Sequence, residues 1–371
     1  MNSLPIIPEL IEKLNSASNQ KINKKAFVGF DGYIDKIQKV VKTRTKNNVE
    51  FYPTLKEFGD RILQAAGKSG QVEIVTQEIK IGGNAPIMAN SLGALGVSNI
   101  CLGNAGSPTI IPEFKNLHNK AKMLSIGAPG ESSALEFNDG KMIMSDLTPF
   151  TTQNWEHVKK TIGLDTIIDN MNECSVLALV GWCNPEHATD VWKGILNEVM
   201  PACDKKDLIL FDTADPTKKS KEDLMEVLGV INNFSAYGKV VLGINENETN
   251  KLYNILISEN DKSVDEDPDL ESKGSIIFSK ISIDGLLVHP TNRSIMISNE
   301  GVISLDGHII QEPKISTGGG DNLNAGFCLG YILGYSLEES MILGMATSGA
   351  YVKNGRSPDI PALIDYLNEW K

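Results

Sequence analysis

The feature that most restricts how this chain folds is a repeated alternation between short apolar runs and segments with helical spacing. "KAFVGFDG", "SNICLGNAG", "SVLALVGW", "LILFDTAD", "KVVLGINENE" and "GLLVHP" each read as a short strand that closes on turn-forming residues. Helical patterns separate most of them, such as "TLKEFGDRILQAAG", which stops at Gly67, and the small-residue stretch "NAPIMANSLGALG". A strand that is apolar throughout has to be buried on both faces. Strands of that kind, interleaved with helices, imply a parallel sheet covered by helices on either side. No internal repeat breaks the pattern, so the expectation is one α/β domain over residues 1–371.

Three stretches depart from it. "DKIQKVVKTRT" and "QVEIVTQEIKIGG" precede the first glycine-rich helix, and "SSALEFNDGKMIMSDL" alternates around Asn138-Asp139-Gly140, a good hairpin turn. These predict strands exposed on one face, from about 36–50, 71–82 and 130–148, forming a small β lid on the main domain. Exposed sheet edges invite a partner strand, so a homodimer through the lid is open to this chain. The stretch "SENDKSVDEDPDLESKGS", Ser258 to Ser275, is acidic and broken by proline, and reads as a solvated loop without a function.

Composition narrows the partners. With 47 acidic residues against 35 basic ones the net charge is −12, and the basic residues form no patch of the kind nucleic acid needs. An anionic ligand must then be met by local positive field from backbone amides, a helix end or a metal ion. No apolar run reaches the ~18 residues that span a bilayer, and the first residues, "MNSLPIIPELIEKL", are amphipathic and interrupted by two prolines. The 5 cysteines are dispersed and never spaced C-x-x-C, as expected of free thiols in a reducing compartment, and the histidines show no metal spacing. A cytoplasmic protein without membrane or nucleic-acid contacts is expected.

The chemistry concentrates in four places. In "STGGGDNLNAGF" three glycines run into Asp321 at the start of a helix. Amides of Gly318, Gly319 and Gly320 can converge there without obstruction by Cβ atoms, and the helix dipole adds positive charge, which makes an anion hole. A carboxylate at its mouth can accept a proton from an attacking hydroxyl. The competing reading is a helix cap after a loop. Ala325 and Gly326 continue the small residues into the helix, and this favours a functional site with close packing beneath it. In "IGGNAPIMANSLGALG" Gly82 and Gly83 precede Asn84, whose amide suits a polyhydroxylated ligand. In "GINENETNKL" Asn245 and Glu248 share one helix face and suit hydrated Mg²⁺ beside phosphates, although the same pair also makes a capping box. In "FVGFDGYID" Asp31 and Asp35 follow a strand, for sugar hydroxyls or merely for the turn. One motif is a decoy. "AAGKSG" lacks the first P-loop glycine, because Ile62 stands there, and reads as a helix C-cap. No G-x-G-x-x-G dinucleotide fingerprint occurs.

Taken in order, these motifs resemble the ribokinase-like (PfkB) carbohydrate kinase family over roughly residues 25–365. That family has an early Gly-Gly sugar motif, a middle N-x-x-E and a late D-T-x-G-A-G-D, here Gly82-Gly83-Asn84, Asn245 to Glu248 and "ISTGGGD". "LILFDTADP" is similar to its strand that ends in an aspartate. The resemblance implies a three-layer α/β/α fold with a central, mostly parallel sheet and a small β lid. It implies transfer of the ATP γ-phosphate to a hydroxyl of a sugar or sugar-like molecule. Asp321 would be the base and the amides of Gly318, Gly319 and Gly320 the anion hole. Asn245 and Glu248 would organise Mg²⁺. Asn245, Thr317, Gly318 and Gly320 would lie against the nucleotide, and Asp31 or Asp35, with Gly83 and Asn84, against the sugar. Spacing leaves the two aspartates open, with Asp35 preferred. The chain departs from the pattern at Ile315, where the family has the aspartate of a monovalent-cation site, and at Ile87, where it has asparagine. It departs again over Val288 to Ser294, "VHPTNRS", which lacks both glycines of the nucleotide loop. Two other readings stand beside the sugar kinase: a same-fold kinase of a nucleoside or other alcohol, and a silent ligand-binding member.

Overall fold

The structure is a computed structural model and describes residues 5–18, 20–257, 267–315 and 317–371. Fourteen strands are described: β1 (Ala26–Gly29), β2 (Tyr33–Arg44), β3 (Val49–Phe51), β4 (Ile74–Gly82), β5 (Asn99–Asn104), β6 (Ala121–Gly127) and β7 (Gly130–Phe137), then β8 (Gly140–Asp146), β9 (Val176–Val180), β10 (Lys206–Asp212), β11 (Gly238–Ile244), β12 (Gly285–Val288), β13 (Arg293–Ser298) and β14 (Gly301–Asp306). The α-helices among the described residues are α1 (Ile7–Ser18), α2 (Leu55–Leu63), α3 (Asn84–Ala94), α4 (Trp155–Ile162), α5 (Leu164–Asn172) and α6 (Ala188–Gly194), followed by α7 (Lys221–Asn233), α8 (Glu246–Leu256), α9 (Leu270–Ser279), α10 (Gly319–Leu333), α11 (Leu337–Asn354) and α12 (Ile360–Trp370).

The alternation of strand and helix does what the sequence requires. The main sheet runs β14-β13-β12-β11-β10-β9-β1-β5-β6 and is parallel except for β13 and β14, which turn back as an antiparallel pair at one edge. Successive side chains on its strands leave to opposite faces. Leu177, Leu179, Ile209 and Phe211 join a core with Trp155, Trp192 and Phe234 from α4, α6 and the end of α7. Their neighbours Val176, Ala178, Leu208 and Leu210 join a second core with α1, α3, α10, α11 and α12. Two apolar cores separated by a sheet make the expected three-layer α/β/α sandwich.

The second sheet has β2 at its centre, paired antiparallel with β4 and parallel with β7, with β8 beyond β7 and β3 extending one end. The hairpin turn at Asn138-Asp139-Gly140 joins β7 to β8, and the Asp139 carboxylate accepts the Leu55 amide proton at 2.8 Å, tying the turn to α2. Residues 45–48 and 71–73 are not strand.

Two local expectations need correcting. α2 ends at Leu63, and Gly67, with φ +72°, lies in the turn beyond it, so "AAGKSG" is a turn and not the helix end itself. Of the acidic stretch, 258–266 lies outside the described residues, while 270–275 is helical. There Asp269 caps α9 by accepting from the Ser272 amide at 2.8 Å, and the Asp-Pro that looked like a breaker lies just before the helix start.

Candidate active site

The chain leaves β1 for β5 and β6 on one side and resumes with β9 to β12 on the other, so the order reverses between β1 and β9. In open α/β sheets the crevice beyond the carboxyl ends of the strands at such a reversal is where ligands bind. The strand ends here carry Asp31 after β1, Gly181 after β9, Asp212 at the end of β10, Asn245 after β11 and His289 after β12. The N-termini of α3 and α10 open onto the same edge.

Gly318 caps α10 in the left-handed conformation, φ +89°, with no side-chain cap. A Cβ there would be strained and would stand 2.9 Å from the Tyr351 hydroxyl, which itself donates to the Thr317 carbonyl at 3.0 Å. The first turn of a helix has no internal acceptor for its N–H groups, so the amides of Gly319 and Gly320 are left without a partner inside α10. Asp321 follows them, 7% exposed, and its Oδ1 accepts from Asn84 Nδ2 at 2.8 Å. Burial, then the carboxylates of Asp212, Asp31 and Glu248, push its pKa well above the usual aspartate value against the hydrogen bond from Asn84. Below the site, a Cβ on Gly326 would stand 2.4 Å from the Leu343 carbonyl oxygen, so the small residues of α10 allow α11 to pack at close range.

The two early aspartates have different jobs. Asp31, fully buried, accepts from the backbone amides of Asn84 at 2.9 Å and Ala85 at 2.8 Å, and so caps α3 from outside the helix. Burial raises its pKa to about 7, opposed by those two amides. Gly83 is the N-cap itself, at φ +96°, and a Cβ there would press on the Asp31 carboxylate at 3.2 Å. Asp35 lies on β2 opposite Lys80 of β4 and Ser132 of β7. Its pKa is raised by burial, while Lys80, Ser132 and Lys141 pull the other way. Gly82 leaves it room, since a Cβ there would overlap its carboxylate.

Asn245 and Glu248 form the capping box of α8. Asn245 Oδ1 accepts the Glu248 amide at 3.0 Å, Glu248 Oε2 accepts the Asn245 amide at 2.9 Å, and Asn245 Nδ2 donates to Glu248 Oε1 at 2.7 Å. The capping reading is therefore realised. Each carboxylate oxygen keeps a further lone pair. Burial, with Asp212 next, raises the Glu248 pKa to about 8. Asp212 is held by Asn324 Nδ2 at 2.7 Å and by the Ala214 amide at 2.8 Å. The Asp212 charge, which helps to raise both Glu248 and Asp321, marks a local excess of negative charge for a cation to relieve. Among the described residues no cluster of three or more His, Cys, Asp or Glu side chains could hold a metal ion. The donor set thus fits a hydrated ion carried in by phosphates, and not a protein cage.

A cleft of about 240 Å³ joins these parts. Asp31, Asp35, Gly83, Asn84, Thr317, Gly318 and Asp321 line it, whereas Asn245, Glu248, Gly319 and Gly320 do not. Several lining groups escaped the sequence reading: Tyr33, Ser132, Ile143, Ser145 and Asn184, while Ile87, the departure from the family's asparagine, does line the cleft. The alternation on β2 and β8 could have pointed to Tyr33 beside Asp35 and to Ile143 beside Ser145, which share a face at a spacing of two. Asn184 had no such signal. The Tyr33 ring sits edge-on to Phe150 at 5.1 Å, and its hydroxyl is buried on the side of Asn184.

Residues 15–370 match the family described as prokaryotic ketohexokinase. A ketohexokinase from Haloferax volcanii is 24% identical over 337 residues, covering 89% of this chain and 87% of that protein. Among solved structures, the adenosine kinase from Sinorhizobium meliloti superposes with a TM-score of 0.64 at 15% identity, covering 94% of this chain and 100% of that one. A putative ribokinase II from E. coli, solved in complex with ATP and Mg²⁺, gives 0.61 at 13% identity, covering 93% and 99%.

Proposed function

The chain belongs to the prokaryotic ketohexokinase family and is a carbohydrate kinase, and from that premise we propose that it transfers the γ-phosphoryl group of ATP to a primary hydroxyl of a ketohexose. The observation that carries this reading is Asp321, fixed by Asn84 at the uncapped N-terminus of α10 and lining an open, largely polar cleft. Asn84 occupies Oδ1, which leaves Oδ2 to take the proton of the sugar hydroxyl. The freed oxygen forms its bond to the γ-phosphorus as the bond to the β–γ bridging oxygen breaks, and ADP leaves with that electron pair. The amides of Gly318, Gly319 and Gly320 stabilise the charge spread over the migrating group. Thr317 and Asn245 lie on the nucleotide side. Asn245 and Glu248 would hold Mg²⁺ through its waters, and Mg²⁺ supplies neutralisation of phosphate charge when bound.

Asp35 is the sugar-facing aspartate. Both oxygens of Asp31 serve the α3 amides, so it shapes the pocket in which Gly83 and Asn84 meet the sugar. The cleft is small, and its lining is mostly hydroxyl, amide and carboxylate groups, which suits a polyol better than a nucleoside base. Five free cysteines, four of them buried, suit the reducing cytoplasm, and no helix among the described residues is long and apolar enough to cross a membrane. The outer face of the lid carries exposed Ile74, Ile79, Met142 and Met144, and a second copy of the chain would cover it as a homodimer.

A coupled assay with ATP and Mg²⁺ over a panel of ketohexoses, aldoses and nucleosides tests the reading. Turnover is expected to be highest with a ketohexose. Preference for a nucleoside by tenfold or more, or no turnover with any of them, would overturn it.

A further inference from the structure

Resting on that reading, we propose that Lys141 is a catalytic residue carried by the lid, whose ammonium group contacts the phosphoryl group in transit. Lys141, Ile143 and Ser145 lie on one face of β8 at a spacing of two, and Ile143 and Ser145 line the cleft. The Lys141 ammonium reaches across the cleft mouth and donates to Thr317 Oγ1, the side chain directly ahead of Gly318, Gly319 and Gly320. The lid hairpin is thereby joined to the loop that would cradle the transferred group, across 176 positions of sequence.

The charge of the site gives this contact its purpose. The cleft lining contains the carboxylates of Asp31, Asp35 and Asp321 and no basic side chain, and Asp212 and Glu248 add negative charge behind it. The donor is a polyanion. A single ammonium placed at the anion hole favours the transition state, where charge on the transferring oxygens is greatest. Glu136 of β7 and Asp35 of β2 attract the Lys141 ammonium, while Lys80 of β4 repels it. Because β8 belongs to the second sheet and Thr317 to the loop before α10, the position of the cation over the anion hole is tied to the position of the lid.

The test compares wild type with Lys141→Met and Lys141→Arg. Two readouts are taken: steady-state kinetics with D-fructose and ATP–Mg²⁺, and calorimetric affinity for ADP with aluminium fluoride, Mg²⁺ and D-fructose, a mimic of the transferring group. Lys141 is exposed, so the variants should melt with wild type. Lys141→Met should lower kcat about 10–100-fold and weaken mimic binding by a similar factor. The affinity for D-fructose alone should stay within about twofold, and Lys141→Arg should restore most of kcat. Unchanged kcat and mimic affinity in Lys141→Met would overturn the assignment while leaving the kinase reading intact. So would an equal loss of D-fructose affinity, which would make the residue a sugar contact or a latch. A wild-type protein that neither turns over D-fructose nor binds the mimic would remove both.

Discussion

At the scale of single residues, the site separates groups that hold the pocket from groups that face the ligand. Asp31→Ala would leave two buried amides of α3 without an acceptor, at a cost of about 1–3 kcal/mol each, and should lower Tm by several degrees. Asp35 supports no helix. Asp35→Ala should leave Tm nearly unchanged and raise the KM for the sugar by about 10–100-fold, the value of a charged hydrogen bond. Thermal melts and sugar kinetics on the two variants check this; the reverse pattern would exchange the two roles. Spacing alone could not make the distinction, since both aspartates follow β1 closely. What decides it is that Asp31 has turned back onto the α3 amides, a long-range contact with no local signature. The glycine run was legible because a left-handed cap and bare amides leave a compositional trace. Asn245 and Glu248 were legible as a pair, but a capping box and a shell for a hydrated ion use the same residue types at the same spacing, so sequence could not rank them.

Among the elements, those of the sandwich were the easiest to read. Buried parallel strands such as β9 and β10 are apolar on both faces and cannot be mistaken for surface. The helix ends were harder: α2 stops at Leu63 although its apolar spacing continues, and residues 64–67 go on as turns. The lid strands were found by alternation, yet alternation does not say which face looks inward. On β8 all residues are exposed; alternation groups Lys141 with Ile143 and Ser145, and the pairing with β7 decides that this is the face of Asp35 and Ser132. That leaves Met142 and Met144 on the outer face, 49% and 53% exposed. A dimer through this face predicts that sedimentation at micromolar concentration finds two chains in wild type and one in Met142→Asp/Met144→Asp. A wild-type monomer would contradict it.

For the molecule as a whole, the strand ends gather carboxylates that fold at some cost and await a cation. Glu248 makes this measurable. Its pKa rises from the ordinary 4.5 to about 8 on folding, so the folded state holds a proton that the unfolded state releases. Its contribution to stability is full below about pH 4.5 and is lost as pH rises through 8. Glu248→Gln keeps the capping geometry without the titration. The Tm of this variant relative to wild type should therefore climb across pH 4.5 to 8 in buffer free of metal and nucleotide, and a flat difference would show that the carboxylate is not raised. The fold and the reaction class could be read from motif order, which survives where pairwise identity does not; the convergence of Asp31, Asp212, Glu248 and Asp321 could not, because four distant segments meet only in the folded sheet. The most direct test of the whole account is Asp321→Asn, with kcat and sugar affinity measured on one preparation. Loss of kcat by roughly 10²–10⁴-fold with sugar affinity retained is the predicted result; a variant that turns over at the wild-type rate would contradict it.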